Sequence, residues 1–289
     1  GGMEYPTLIA AWAAVSDQPG LELEQVVAHE IAHQYWYGIV ASNEAEEAWL
    51  DEAFASWSEF RLMQTEYGKT GHLKHEAVSL KDPAPLKLAS WKFKDHEQYA
   101  ANVYTRGKLV LLAIEREIGT ANMHKVLKTY YGRWKFKHPG TADFQRVLED
   151  VTKRSWQSFF DQFVHGKEML DYEVAEIRSR EVKRNGRELH EYTVKLVRHG
   201  GYLKPVPIVF RFADGTVAEK VWEDDGKEKV IKVTTDSRLL WVAVDPDLNL
   251  LLENHLVNNI LLAEIDEAWK VRWTVLIGKA VETLLGWAI

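Results

Sequence analysis

His29-Glu30-Ile31-Ala32-His33 and, further on, Trp49-Leu50-Asp51-Glu52-Ala53 decide the fold, with eighteen residues between His33 and Glu52. Two histidines four apart on a helix project from one face, one turn apart, so both imidazoles can reach a single cation. Glu30 lies beside them, tilted towards where water on that cation would sit. A catalytic zinc takes three protein ligands and keeps a fourth position open. Glu52 is the best candidate for the third. It sits on a second apolar-periodic stretch, Glu46 to Met63, which can fold back antiparallel after a turn near Ser42-Asn43. His29, His33 and Glu52 are therefore expected to hold one Zn²⁺ per chain, with Glu30 free as the base. The residues from Val26 to Trp36 are otherwise apolar, so these polar groups are expected on a buried face, where unpaired charge is costly.

Working outward, 289 residues allow two domains and a sizeable core, and 46% hydrophobic with 27% charged residues is ordinary for a globular chain. A net charge of −7 without a basic block argues against a nucleic-acid partner. The absence of cysteine rules out disulfides and thiolate ligands but leaves localisation open. The opening residues lack the basic stretch and apolar core of a signal peptide.

The chain starts Gly1-Gly2-Met3-Glu4-Tyr5-Pro6, followed by a strand-like Thr7 to Trp12. Two glycines allow the backbone to approach a ligand closely. Glu4 then stands at the edge of a strand leading towards the histidine helix. Taken alone, such a residue is more often simply solvated. Gly-x-Met-Glu ahead of His-Glu-x-x-His and its distant Glu resembles the aminopeptidase N family of gluzincin metallopeptidases, which includes the leukotriene epoxide hydrolases. The resemblance runs from Gly1 to about Asn259. It implies that Glu4 binds the free α-amine of a peptide and that Gly1, Gly2 and Met3 line its channel. The family's usual Asn after that glutamate is Tyr5 here. An endopeptidase of thermolysin type would share the metal pattern, so exopeptidase specificity would rest on Glu4. The resemblance also implies that the family's N-terminal β-domain is absent and that the chain is a trimmed fragment of weakened activity. A zinc hydrolase of another bond, or a scaffold that no longer turns over, are the alternatives.

Gly68 to His96 reads as short helix and loop, and His72, His75 and His96 fit no ligand spacing with the zinc set. Tyr104-Thr-Arg-Gly107 then runs into a helix over Lys108 to Ile118 that stops at Gly119. By resemblance Tyr104 is the catalytic tyrosine, a neutral donor to a developing oxyanion. Tyr99 matches a second active-site tyrosine of some members. Helices are expected over Ala121–Tyr131, from a Thr141 cap to Val151, and after Ser155. From Asp171 the pattern alternates in six strands: Glu173–Val182, Glu191–Val197, Ile208–Phe212, Val217–Trp222, Lys229–Val233 and Leu240–Val244. Asn185-Gly186, Asp214-Gly215 and Asp225-Gly226 lie between strands as hairpin turns require. A helical segment is expected over Ile260–Ile289, amphipathic from Arg272, where Lys279 and Glu282 interrupt any apolar span long enough for a membrane.

The fold expected is α+β: a mainly helical, thermolysin-like zinc domain over 1–170, a small antiparallel β-sandwich over 171–259 and a C-terminal amphipathic helix over 260–289. The helix is expected to pack on the body or contact a surface. Expected partners are peptides with a free N-terminus.

Overall fold

The computed structural model describes residues 1–14, 16–17, 20–69, 71–203 and 205–263. They form two compact units. One comprises Gly1–Asp171 with Gly200–Leu203 and Leu248–Leu256; the other comprises Tyr172–His199, Lys204–Asp247 and the stretch from Val257. The second unit is therefore not one unbroken run of chain. Leu170 forms bridges with both Gly201 and Glu253, and Lys74 Nζ and Arg116 Nη1 donate to the carbonyls of Leu250 and Asn249 at 2.5 and 2.7 Å.

The first unit is helical, and two of its helices carry the motif. α1 spans Glu22–His33. Asn43 then ends a short connection by accepting from the backbone N–H of Ala45 and Glu46, which caps α2, Glu44–Glu47. α3, Trp49–Tyr67, returns along α1. Its N-terminal half is buried on all sides, Trp49 through Trp57, so its two first-turn acids, Asp51 and Glu52, enter the core with it. Aromatic rings fill the far side. Phe54 packs against Trp36, Trp49, Tyr130 and Phe144 at centroid distances of 4.9–6.0 Å. The buried indole of Trp49 is satisfied by Thr141 Oγ1 at 2.9 Å, and that of Trp36 by Ser58 Oγ at 3.0 Å.

α4 (Leu73–Ser79) and α5 (His96–Ala100) precede a π-helical turn at Ala101–Arg106, which leads into α6, Gly107–Ile118. α6 lies so close to α3 that a Cβ on Gly107 would come within 2.5 Å of Ala53 Cβ, which only glycine avoids. α7 (Thr120–Trp134), α8 (Thr141–Thr152) and α9 (Gln157–Phe160) complete the unit. Gly140, not Thr141, caps α8. Its backbone is extended and its N–H is held by Asp143 at 3.0 Å, while Thr141 is already helical and its hydroxyl is engaged by Glu47 and Trp49.

At the N-terminus the strand expected over Thr7–Trp12 is instead a tight turn. Met3 and Ala10 exchange backbone bonds of 3.0 and 2.8 Å, and Thr7 adopts φ +63° between them. Pro6, lacking an N–H, starts that turn and prevents an extended ladder.

The second unit stacks two antiparallel sheets, β1-β2-β5 and β4-β3-β6-β7, from β1 Tyr172–Arg184, β2 Arg187–Arg198, β3 Val206–Phe212, β4 Val217–Trp222, β5 Glu228–Thr235, β6 Leu239–Val244 and β7 Ile260–Leu262. Asn185-Gly186 closes the β1–β2 hairpin at φ +53° and +76°, as a type I′ turn needs. Tyr192 on β2 accepts the Leu239 N–H of β6 at 3.0 Å, and Tyr172 meets Trp222 edge to face, so each sheet reaches the other.

Two expectations are corrected here. Asp225-Gly226 is not a hairpin but the crossover from one sheet to the other. Asp224 accepts from Trp222 Nε1, Gly226 N and Lys229 Nζ, which folds the chain away from β4. The helix expected from Ile260 opens instead as β7, paired with β6 from Ala243↔Ile260 to Trp241↔Leu262. Unpaired edge groups on β6 outweigh the local helical pattern. The rest of that expected helix lies outside the described residues. No helix among the described residues is long and apolar enough to cross a membrane.

Candidate metal centre

α1 and α3 bring three of the motif side chains to one point. Ligand atoms of His29, His33 and Glu52 all lie within 4.8 Å of one another. Glu52 Oε2 stands 3.2 Å from His29 Nε2 and 3.3 Å from His33 Nε2. The two imidazoles meet edge to face at 4.7 Å, as helical positions four apart allow. Each ring has a carboxylate at its other nitrogen. His33 Nδ1 donates to Asp51 at 2.5 Å, and His29 Nδ1 lies 3.4 Å from Glu59.

Burial would lower His29, but Glu52 and Glu59 outweigh it and hold the ring at about 9. Burial likewise opposes protonation of His33, and its bonds to Asp51 and Glu52 carry it to about 10. Asp51 is itself pushed up by burial, to about 7, so the proton of this pair rests on the imidazole. Burial would raise Glu52, yet bonds from His29, His33 and Tyr104 bring it down to about 2. This buried field favours positive charge at the point where the two Nε2 atoms and Glu52 converge. Two nitrogens, one carboxylate oxygen and further open space match the donors a catalytic zinc takes.

Glu30, also on α1, is 5% exposed, and its Oε2 is buried without a hydrogen-bond partner. Burial pushes its carboxyl up, with the two imidazoles pulling partly back. A buried carboxylate oxygen with nothing bound is expensive to keep. Gly2 covers it so closely that a Cβ there would lie 2.3 Å from Glu30 Oε1. Glu4 follows, with a carboxylate oxygen inside 4.8 Å of ligand atoms of Glu30 and His33. Gln34, the residue after His33, holds this turn by accepting the Thr7 N–H at 3.0 Å and donating to the Tyr5 carbonyl at 3.3 Å.

Tyr104 reaches the centre from the π-helical turn, where its hydroxyl donates to Glu52 Oε1 at 2.5 Å. Burial and the Glu52 charge push the phenol up, so it remains a donor. Its segment is pinned by fully buried polar neighbours. Asn102 Oδ1 accepts the Ala84 N–H at 2.8 Å, and Arg106 donates to the carbonyls of Ala84 and Glu168 at 3.1 and 3.0 Å. A π-turn has no local sequence signature, and such turns concentrate at functional sites. Gly1, Gly2, Met3, Glu4, His29, Glu30, His33, Glu52, Glu59 and Tyr104 share one cleft of about 660 Å³. Tyr99 is not among its walls; it packs between Phe93 at 5.4 Å and Tyr104 at 6.1 Å. Sequence reasoning missed Asp51 and Glu59, although both lie on the same predicted helix as Glu52.

A helix bearing His-Glu-x-x-His, facing a second helix that supplies a glutamate, defines the gluzincin class of metallopeptidase centre. Within that class the sequence profile of the peptidase family M1 domain matches residues 3–163, and the chain belongs to this family. Among its relatives, human glutamyl aminopeptidase is 27% identical over 141 residues, covering 44% of this chain and 14% of that protein. A leukotriene A-4 hydrolase homolog from Botryotinia fuckeliana is 28% identical over 166 residues, covering 52% of this chain and 25% of its own length. The chain thus spans a quarter or less of these two relatives. The crystal structure of Legionella pneumophila aminopeptidase A in complex with aspartic acid shares the fold, with TM-score 0.57 and 16% identity over 86% of this chain and 28% of that one.

Proposed function

We propose that this chain carries the catalytic machinery of a zinc-dependent aminopeptidase, which removes the first residue of peptides that have a free N-terminus. Residues 1–170 would be its thermolysin-like catalytic domain and 171–259 an accessory sandwich. The observation that carries this reading is the convergence of His29, His33 and Glu52 beside a buried, unpartnered Glu30 oxygen in a cleft also lined by Glu4.

His29, His33 and Glu52 would hold the zinc. A zinc ion held there supplies a Lewis acid that brings the pKa of water towards about 7 and polarises a carbonyl. Glu30 accepts the proton from the attacking water and passes it to the departing amine; its burial raises its basicity to suit both steps. Tyr104, kept protonated by burial and by Glu52, donates to the carbonyl oxygen as negative charge develops on it. Glu4 pairs with the substrate ammonium and limits cleavage to the first peptide bond; such a charge-assisted bond contributes about 1.5–3 kcal/mol. The Gly2 backbone lies so close against Glu30 that no side chain fits between them.

The test is hydrolysis of amino-acid p-nitroanilides by the purified chain, with and without chelator, beside N-acetylated analogues. The expected result is turnover that chelation abolishes and zinc restores, with acetylated substrates inert. No turnover at any zinc level, or equal cleavage of acetylated substrates, would overturn the assignment.

A further inference from the structure

A histidine binds a metal through one nitrogen, and the group on its other nitrogen decides which tautomer is present and where the ring points. In this chain both such groups come from α3, the helix that also provides Glu52. Asp51 Oδ1 lies 2.5 Å from His33 Nδ1, with both side chains 1% exposed, and Glu59 Oε2 lies 3.4 Å from His29 Nδ1, with the Glu59 side chain 26% exposed. Glu59 follows Glu52 by seven residues and shares its face, whereas Asp51 is turned roughly 100° aside by the helical step. One helix thus presents Glu52 in front of the rings and a carboxylate behind each. A carboxylate as deeply buried as Asp51 is costly unless it has a partner, and His33 is the side chain it meets.

We infer that Asp51 and Glu59 are positioning residues of the metal centre: each holds the Nδ1 proton of one histidine and thereby turns its Nε2 towards the cation. This rests on the proposal that His29, His33 and Glu52 bind zinc. Asp51 is the stronger of the two, by distance and by burial.

The test is zinc affinity of the purified chain, measured by competition with a chromogenic chelator, for the unaltered protein and for Asp51→Ala, Asp51→Asn and Glu59→Ala. Circular dichroism shows which variants are folded. Asp51→Ala is expected to weaken zinc about 10–100-fold. Asp51→Asn keeps an acceptor oxygen in place and is expected to recover most of that loss, a rescue that a merely structural ion pair would not show. Glu59→Ala is expected to weaken zinc by less than Asp51→Ala. Should Asp51→Ala not fold, Asp51→Leu, similar in outline and without an acceptor, takes its place under the same outcomes. Tight zinc binding by the unaltered chain together with unchanged affinity in the folded variants overturns this inference alone. Failure of the unaltered chain to take up zinc overturns the ligand assignment as well.

Discussion

The helix pair α1 and α3 and the N-terminal turn Gly1–Ala10 meet in the same cleft but are held very differently. In the helix pair His29, His33 and Glu52 each have a further partner: Asp51 behind His33, Glu59 beside His29, and Tyr104 on Glu52. His33 and Asp51 are as buried as any core residue. The turn carries Glu4 and lies at the surface, with Tyr5 and Leu8 52% and 65% exposed. It is fastened to the helix by two bonds to Gln34. In the proposed enzyme, chemistry thus resides in the rigid pair and the choice of which bond is cut resides in the adaptable turn. Damage to the first should abolish turnover, and damage to the second should shift substrate preference.

The largest effect expected is from Glu30→Gln, which should retain zinc while kcat falls about 10²–10⁴-fold, measured by steady-state kinetics beside metal analysis. Near-normal turnover would break the comparison at its rigid end. Tyr104→Phe comes next, with a loss of about 10²–10³-fold in kcat and little change in KM, since its donor acts on charge that develops only during reaction. At the adaptable end, Glu4→Gln should raise KM for free-amine substrates about 10–100-fold, the equivalent of the 1.5–3 kcal/mol in one charge-assisted bond. Zinc content should not change. Gln34→Ala is expected to do least, costing the turn about 1 kcal/mol. It should raise KM severalfold for free-amine substrates and leave the melting temperature of the chain almost unmoved. An effect on kcat as large as that of Tyr104→Phe would mean that the turn and the helix pair are not separable.

What could be read from the sequence follows from how local each signal is. The convergence of His29, His33 and Glu52 was legible because four residues make one helical turn and a capped reversal at Asn43 returns the chain antiparallel. The strand at β3 was legible because Val206, Ile208, Phe210 and Phe212 are buried at alternate positions, which enforces alternation, and the second half of β2 follows the same rule. The features that were missed depend on contacts distant in sequence. Asp225-Gly226 carries ordinary hairpin chemistry, and only the bonds gathered by Asp224 send the chain to the other sheet. Ile260–Leu262 becomes a strand because β6 offers an open edge, not because of its own pattern. Gly107 looked like a helix start; its close approach to Ala53 explains why that position has no side chain. Asp51 and Glu59 could be recognised behind the rings only once the helices were packed.

The most direct measurement is the zinc content of the chain and of its His33→Ala and Glu52→Ala variants, after dialysis against excess zinc and then against metal-free buffer. The account predicts one zinc per unaltered chain, and none retained by either folded variant. A chain that holds no zinc, or a Glu52→Ala variant that keeps a full equivalent, would contradict it.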